Sequence, residues 1–149
     1  MNKDVYSLVR KFKDKYPSTI AWRLKAHSKV INKHINPDES IFYAFVGQKG
    51  LAYNDIIHTY IVAITDKRII LAHKRLLFGY FCVSITPDLF NDLTVESGIF
   101  WGKVVIDTLN EQVTMSYVDK KCLPEVETAI SSNMMEAKKR YQNLGEKRD

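Results

Sequence analysis

The stretch at residues 57–74 constrains the fold more than any other part of the chain. Its sequence, IHTYIVAITDKRIILAHK, is dense in β-branched and aromatic residues and is interrupted once, at residues 65–68. That pattern predicts two β-strands joined by a tight turn, which the Asp66 side chain favours by bonding to nearby backbone. Apolar residues occupy both sets of alternate positions, so both faces of the hairpin are apolar. Such a hairpin is unstable alone and predicts a larger sheet with cover on both sides.

Downstream of Ser40, alternating apolar residues predict five further strands. Outside the hairpin they lie at about residues 41–47, 80–85, 93–97, 103–109 and 112–117, which gives seven strands in all. Connections as short as Asn110-Glu111 favour antiparallel neighbours, because a parallel pair needs a long crossover. Asp38 and Glu39, at the entrance of the first strand, have no partner at a defined spacing.

Three segments space their apolar residues by three and four, which is typical of amphipathic helices. The first two, residues 4–16 and 19–35, predict a pair of basic N-terminal helices. Pro17 ends the first of them, and Ser18 or Thr19 is expected to cap the second. The third helix begins near Leu123 and runs to about Tyr141, with acidic residues in its first turns and basic residues near its end.

The net charge of +5 is unevenly distributed along the chain. Residues 1–36 carry nine Lys or Arg and two Asp, a net charge of +7, whereas residues 37–132 have a net charge of −4. A basic segment beside an acidic body favours either an internal charge fit or an anionic partner. The chain has no apolar run of membrane-spanning length and no secretory h-region, and Cys82 and Cys122 have no partner spacing. We therefore expect a cytoplasmic protein with reduced thiols.

Four stretches of the sequence resemble one known family. Gly47-Gln48 closes the first strand, IVAITDKRIILAHK occupies residues 61–74, LTVESGIFWGKVVI occupies 93–106, and VDKK at 118–121 leads into the last helix. In this order they resemble the bacterial pleckstrin-homology-like (PH-like) domains of the YokE-like group, over about residues 38–132. Residues 1–37 lie outside the resemblance, and residues 86–90 depart from the Pro-Tyr sequence of that family at the same connection.

The resemblance implies an α+β, mainly β fold. It is a PH-like, partly open, seven-stranded antiparallel barrel that is capped by a C-terminal helix and preceded here by the N-terminal helical pair. The chain is then expected to divide into a basic N-terminal helical extension at 1–37, a PH-like domain at 38–142 and a flexible tail at 143–149. The function of most family members is unassigned, and oligomerisation through sheet edges and the helix is common among them. A fold shared this widely does not establish a function.

The sequence contains no catalytic or cofactor motif. We find no Ser-His-Asp pattern, no Gly-rich phosphate loop and no HExxH, and His27, His34, His58 and His73 have no Cys or carboxylate at ligand spacing. We therefore expect no enzyme, no metal site and no cofactor, and the sequence identifies no small-molecule substrate. In eukaryotic PH domains the loop between the first two strands holds several cations for inositol phosphates. Here that loop, residues 48–55, has one Lys and one Asp and predicts no such site.

Two sets of residues are candidates for binding. The cations that could contact an anionic membrane or nucleic acid are Arg10, Lys11, Arg23, Lys25, Lys29, Lys33, Lys74 and Arg75. Leu76, Leu77 and Phe78 follow the last two and could enter an anionic bilayer or meet another protein surface. Phe100 and Trp101 could stack on bases, or Phe100 could pack under the last helix with Trp101 at a rim open to a protein partner.

These candidates leave two functional hypotheses. The first is a non-enzymatic PH-like binding or assembly module that mediates protein–protein contact, with a second copy of the same chain as the expected partner. The alternative is a peripheral binder of anionic membranes that uses the basic helices, with nucleic acid as the less favoured anionic partner. The apolar faces of the basic helices must be buried, so these helices dock on the acidic body or in a homo-oligomer interface, and their basic faces can still look outward.

Overall fold

The computed structural model describes residues 4–50 and 58–147. Two helices, α1 (Val5–Lys15) and α2 (Leu24–His34), precede seven strands, and a short 3-10 helix (Lys120–Cys122) leads into a long helix, α3 (Leu123–Lys147). The strands are β1 (Ile41–Lys49), β2 (Thr59–Thr65), β3 (Ile69–Lys74), β4 (Tyr80–Ile85), β5 (Phe90–Ser97), β6 (Trp101–Thr108) and β7 (Gln112–Asp119). The predicted order of elements is confirmed, although β5 and β6 begin a few residues earlier than expected. Ile57 and most of the loop before it lie outside the described residues.

The strands form one antiparallel sheet in the order β4-β3-β2-β1-β7-β6-β5. The ladder between β1 and β7 consists of Gln48 opposite Ser116 and Lys49 opposite Met115. Because β4 and β5 lie at the two ends of this order and do not pair with each other, the sheet curves without closing. The predicted partly open, seven-stranded antiparallel fold with a C-terminal helix is therefore confirmed.

The central hairpin of β2 and β3 is covered on both faces, as its two apolar faces predict. On the face that carries Val62 and Leu71, α1 and α2 pack against the first strands, and the Phe12 ring lies 6.1 Å from the Phe45 ring. On the other face, α3 contributes Ile130 and Met134, both fully buried. Each large aliphatic side chain buried in this way contributes about 1.5–3 kcal/mol relative to exposure.

The second helix begins at Leu24, so the prediction that it starts at residue 19 with Ser18 or Thr19 as its cap is wrong. The Thr19 hydroxyl instead accepts a hydrogen bond from the Asp119 backbone N–H at 2.8 Å, and Ile20 N–H donates to the Tyr117 carbonyl at 2.9 Å. Both bonds hold the α1–α2 linker, residues 16–23, against the end of β7. A tertiary contact thus replaces the local capping interaction.

The α1–α2 linker, residues 16–23, also reaches the other side of the short β1–β7 ladder. Gln48 donates from Nε2 to the Ile20 carbonyl at 3.2 Å, and the Trp22 N–H donates to the Thr59 hydroxyl at 3.2 Å. The linker therefore bridges the two halves of the sheet where they separate. Its hydrogen bonds make the N-terminal helices part of the same packed body as the strands.

An ion pair that sequence spacing did not reveal fixes the start of β1. Glu39 is fully buried, and its two carboxylate oxygens each lie 2.9 Å from a guanidinium nitrogen of Arg68. The Thr65 hydroxyl donates to Glu39 at 2.6 Å, and Arg68 also donates to the His34 carbonyl at 2.9 Å. Burial alone would raise the pKa of Glu39, but the hydrogen bonds from Arg68 and Thr65 outweigh it and lower that pKa. Arg68, 29 residues further along the chain, is therefore a partner of Glu39 that the sequence spacing did not indicate.

Replacing Gly47 with alanine tests how closely β1 and β7 approach. A Cβ atom at this position would lie 2.9 Å from Val118 Cγ1 and 3.0 Å from the Ser116 carbonyl oxygen. Because the second contact is with backbone, the strands must separate to admit the methyl group. We expect the free energy of unfolding to fall by about 1–3 kcal/mol in urea denaturation. Thr94→Ala, at an exposed position of β5, is the control, and an equal effect of both changes would contradict the argument.

Candidate functional site

Three lysines that were expected to contact anions converge on one cleft beside the β3–β4 turn. Lys29 and Lys33 lie one turn apart on α2, and Lys74 ends β3. Together they line a space of about 230 Å³, here called the basic cleft, which is completed by Ala26, Val30, His34 and Tyr80. No acidic side chain lines it among the described residues. Among the described residues, the lining of the basic cleft therefore carries three positive charges and no negative charge.

The backbone of Lys74 is held firmly at the base of the basic cleft. Its N–H donates to Nδ1 of His27 at 2.7 Å, and its carbonyl accepts from the Arg23 guanidinium at 3.0 Å. Arg23, another of the expected anion contacts, thus makes an internal bond. The two bonds attach α2 to β3 and fix the position of Lys74 relative to Lys29 and Lys33.

A stack of three rings supports this attachment. The His73 ring lies between His27, at 4.9 Å, and Tyr60, at 4.7 Å, measured between ring centroids. Burial, together with the nearby His73 and Arg23, lowers the pKa of His27 to about 3. His73 shows a lowered pKa as well, chiefly because of burial. Both imidazoles are therefore neutral near pH 7 and join α2 to the sheet by packing and hydrogen bonds.

The turn between β3 and β4 carries three large apolar side chains into solvent. Leu76, Leu77 and Phe78, here called the apolar tip, are 54%, 80% and 84% exposed. Arg75 N–H donates to the Gly79 carbonyl at 3.1 Å and closes the turn, and Gly79 adopts a φ of 77°, which glycine tolerates without strain. Contiguous exposed apolar side chains of this size mark an interaction surface. The apolar tip lies between Lys74 and Tyr80 in the chain and so directly adjoins the basic cleft.

The antiparallel order places the apolar tip at the end of the sheet where β1 ends and the β6–β7 turn lies. The β2–β3 and β5–β6 turns lie at the opposite end, from which β7 leads into α3. This arrangement is that of a PH-like fold, with the C-terminal helix at one end of the sheet and the β3–β4 and β6–β7 turns at the other. The expectation that the loop at 48–55 has no inositol-phosphate site concerns mostly residues outside the described ones. Of its described part, Lys49 lies over the rings of Tyr60 and Phe81, at 5.3 and 5.0 Å.

A family model described as Bacterial PH domain matches residues 35–132 of this chain, which is more than half of its length. The chain belongs to the bacterial PH domain family. This confirms the resemblance inferred from the four sequence stretches. A search of curated proteins and a search of solved structures each found no significant match.

The family match starts one residue after α2 ends, so the PH domain proper does not include Lys29 and Lys33. The basic cleft is therefore built jointly by the PH domain and by the helix that precedes it. Lys25 is exposed on the same helix, whereas Arg10 and Lys11 lie on α1 and Arg10 stacks over the Tyr6 ring at 5.6 Å. The eight expected cations thus fall into at least two separate regions of the surface.

The β5–β6 turn of this PH domain carries two more exposed apolar side chains, in addition to the apolar tip. Ile99 and Phe100 are 81% and 72% exposed, so the interpretation that Phe100 packs under the last helix is wrong. Trp101 begins β6, where its indole N–H donates to the Ser18 carbonyl at 2.9 Å and its ring packs on Tyr117. Trp101 thereby fixes the α1–α2 linker to the sheet.

Within residues 4–50 and 58–147 no cluster of three or more His, Cys, Asp or Glu is placed to hold a metal ion. Cys122 ends the short 3-10 helix before α3 in a buried position, and burial with the nearby Asp119 and Glu125 raises the pKa of its thiol to about 12. None of the helices in the described part of the chain is long and apolar enough to span a bilayer.

Proposed function

We propose that this bacterial PH domain is a non-enzymatic binding module that docks on anionic membrane surfaces. The observation that carries the proposal is the junction of the basic cleft with the apolar tip. Lys29, Lys33 and Lys74 line one cleft that has no acidic side chain among the described residues, immediately beside three apolar side chains that point into solvent. Stable peripheral binding needs two such signals, since either insertion or charge alone gives only weak attachment.

The two parts of the site would act at different depths of the bilayer. Leu77 and Phe78 would enter the boundary between headgroups and acyl chains, where burial of each side chain contributes about 1.5–3 kcal/mol. Lys29, Lys33 and Lys74 would then lie at headgroup level, where each cation near an anionic leaflet contributes about 1 kcal/mol. After the entropic cost of association, these terms support reversible attachment.

The double variant Leu77→Ser, Phe78→Ser tests the insertion step. We expect at least a tenfold loss of binding to vesicles of phosphatidylcholine with phosphatidylserine in co-sedimentation, about 1.4 kcal/mol or more. The matched control is Ile99→Ser, Phe100→Ser, which removes a similar exposed apolar pair from the opposite end of the sheet and should bind normally. Wild-type binding should also fall as salt is raised and should be weak on phosphatidylcholine alone. Equal binding of the tip variant and wild type would contradict the proposal.

Assembly with a second copy of the chain is the other candidate function. The observation that favours it is that β4 and β5 end the strand order and pair on one side only within the described residues. Unpaired edges can add a strand from another chain, although Asp92 and Glu96 on β5 are the kind of charged residues that discourage this. Light scattering separates the candidates. A defined oligomer that the tip variant converts to monomers, with no binding to vesicles, would favour assembly through the apolar tip.

A further inference from the structure

A second cleft lies on another part of the molecule, where α1, the start of β1 and the start of α3 meet. It measures about 260 Å³ and is here called the amphipathic cleft. Its walls are formed by Leu8, Lys11, Phe12, Lys15, Phe42, Tyr43, Ala44 and Glu125. The contribution from α1 is a single helical face, because Leu8, Lys11, Phe12 and Lys15 are spaced by three and four residues.

One end of the amphipathic cleft is polar and internally satisfied. The Glu125 carboxylate accepts a hydrogen bond from the Tyr43 hydroxyl at 2.8 Å and pairs with the Lys15 ammonium at 2.6 Å. The charge of Lys15 is thereby neutralised by Glu125. Lys11, one helical turn earlier on the same face, has no ion pair among the described residues and is exposed. One uncompensated cation therefore remains at the cleft.

The other part of the amphipathic cleft is an aromatic wall created by a β-bulge. Ile41 pairs with Thr65 and Tyr43 pairs with Ile64, so Phe42 is an extra residue in β1 without a counterpart in β2. A bulge redirects the side chain of the inserted residue, and bulges are frequent beside binding sites. Here the Phe42 ring lines the cleft and stays 49% exposed, facing an apolar surface formed by Leu8 and Phe12. An apolar wall of this kind gains free energy when a ligand displaces water from it.

We propose that the amphipathic cleft binds a small aromatic carboxylate, with its ring between Phe42 and the α1 face and its carboxylate on the Lys11 ammonium. The aromatic side chains favour a flat apolar body, and the volume limits it to about one or two rings. A single negative charge on the ligand matches the one cation of the cleft that has no ion pair among the described residues. The proposal is independent of membrane binding, because the apolar tip and the amphipathic cleft lie on different elements.

The probe is sodium benzoate, with benzamide as its uncharged counterpart, titrated into the full chain and followed by the backbone amide signals in NMR. Benzoate should shift the signals of residues 8–15, 42–44 and 125 in a saturable way. Benzamide should act at the same residues but bind about fivefold more weakly, which is the value of one exposed ionic contact. No saturable shift with benzoate, or shifts confined to other parts of the chain, would overturn the proposal.

Two single variants assign the contributions of the cleft. Lys11→Gln should reduce the affinity for benzoate about fivefold and leave the affinity for benzamide unchanged. Phe42→Ala should reduce the affinity for both compounds. Both residues are exposed, so the fold should be retained, and unchanged signals elsewhere will verify this. Lys25→Gln removes an exposed lysine from α2 and is the matched control. If Lys11→Gln binds benzoate as wild type does, the assignment of the carboxylate to Lys11 is wrong.

Discussion

Replacing Arg68 with methionine should lower the free energy of unfolding at pH 7 by about 3–5 kcal/mol, the largest effect expected for a single change in this chain. The reason is that Glu39 would remain fully buried without the guanidinium that now contacts both of its oxygens. The His34 carbonyl and the Ser84 hydroxyl would lose their bonds to Arg68 as well. Urea denaturation of both proteins at pH 7 measures the difference.

Two further measurements distinguish the cost of a buried Glu39 carboxylate without an ion-pair partner from the cost of lost packing around residue 68. In wild type the lowered pKa of Glu39 means that the pair stabilises the fold above the usual pKa of Glu, and that this contribution is lost as the pH falls through the folded-state value. In Arg68→Met the unpaired carboxyl should instead be easier to protonate, so the defect should shrink as the pH is lowered from 7 to about 5. The double variant Glu39→Gln, Arg68→Met should recover much of the loss. A defect that is independent of pH and of Glu39 would indicate packing alone.

Lowering the pH from 6.5 to about 4 should remove about 2–3 kcal/mol of stability through His27 alone. Its pKa falls from 6.5 to about 3 in the folded state, so the unfolded chain binds a proton more readily throughout this interval. Stability attributable to His27 is therefore complete above pH 6.5 and declines as the pH falls below it. Protonation would place a cation against His73 and Arg23 and would oppose the bond from the Lys74 N–H.

The variant His27→Asn isolates this contribution, because asparagine can still accept the hydrogen bond of Lys74 but does not titrate. We expect it to be less stable than wild type at pH 7 and to lose less stability between pH 6.5 and 4, as measured by urea denaturation at several pH values. His34→Asn, at a half-buried histidine of the same helix, is the control. If the free energy of unfolding of His27→Asn changes with pH as steeply as that of wild type, protonation of His27 does not contribute to the pH dependence of stability.

The central hairpin and the last helix could be predicted because their signals are local. Apolar and mostly β-branched residues fill β2, and Val126, Ile130 and Met134 repeat at helical spacing, so a window of a few residues identifies each element. The start of α2 could not be predicted in this way. Thr19 is a good N-cap residue by itself, but its hydroxyl accepts a hydrogen bond from the Asp119 backbone N–H. No residue near Thr19 in the sequence indicates that partner.

The same difference between local signals and long-range contacts applies to the candidate site. The cations and the apolar triplet Leu76–Phe78 could be identified from the sequence as residue types suited to an anionic surface. That Lys29 and Lys33 share a cleft with Lys74, while Lys11 lines a different cleft, depends on how each helix crosses the sheet. The packing of His27 on His73 and the bond from the Lys74 N–H to His27 attach α2 to β3, and the sequence pattern gave no sign that these two histidines are in contact.

The order of helices and strands, the antiparallel connections, the two apolar faces of the central hairpin and the family can all be inferred from the amino-acid sequence. These features follow from backbone preferences and periodic burial, which are expressed among neighbouring residues. Three-dimensional packing is needed to know that Glu39 pairs with Arg68, that the α1–α2 linker bonds to β7, and that lysines from α2 and β3 line one cleft. The physical reason is that such contacts depend on the packing and hydrogen-bond geometry of residues far apart in the chain, where the chemical type of a residue does not specify its partner.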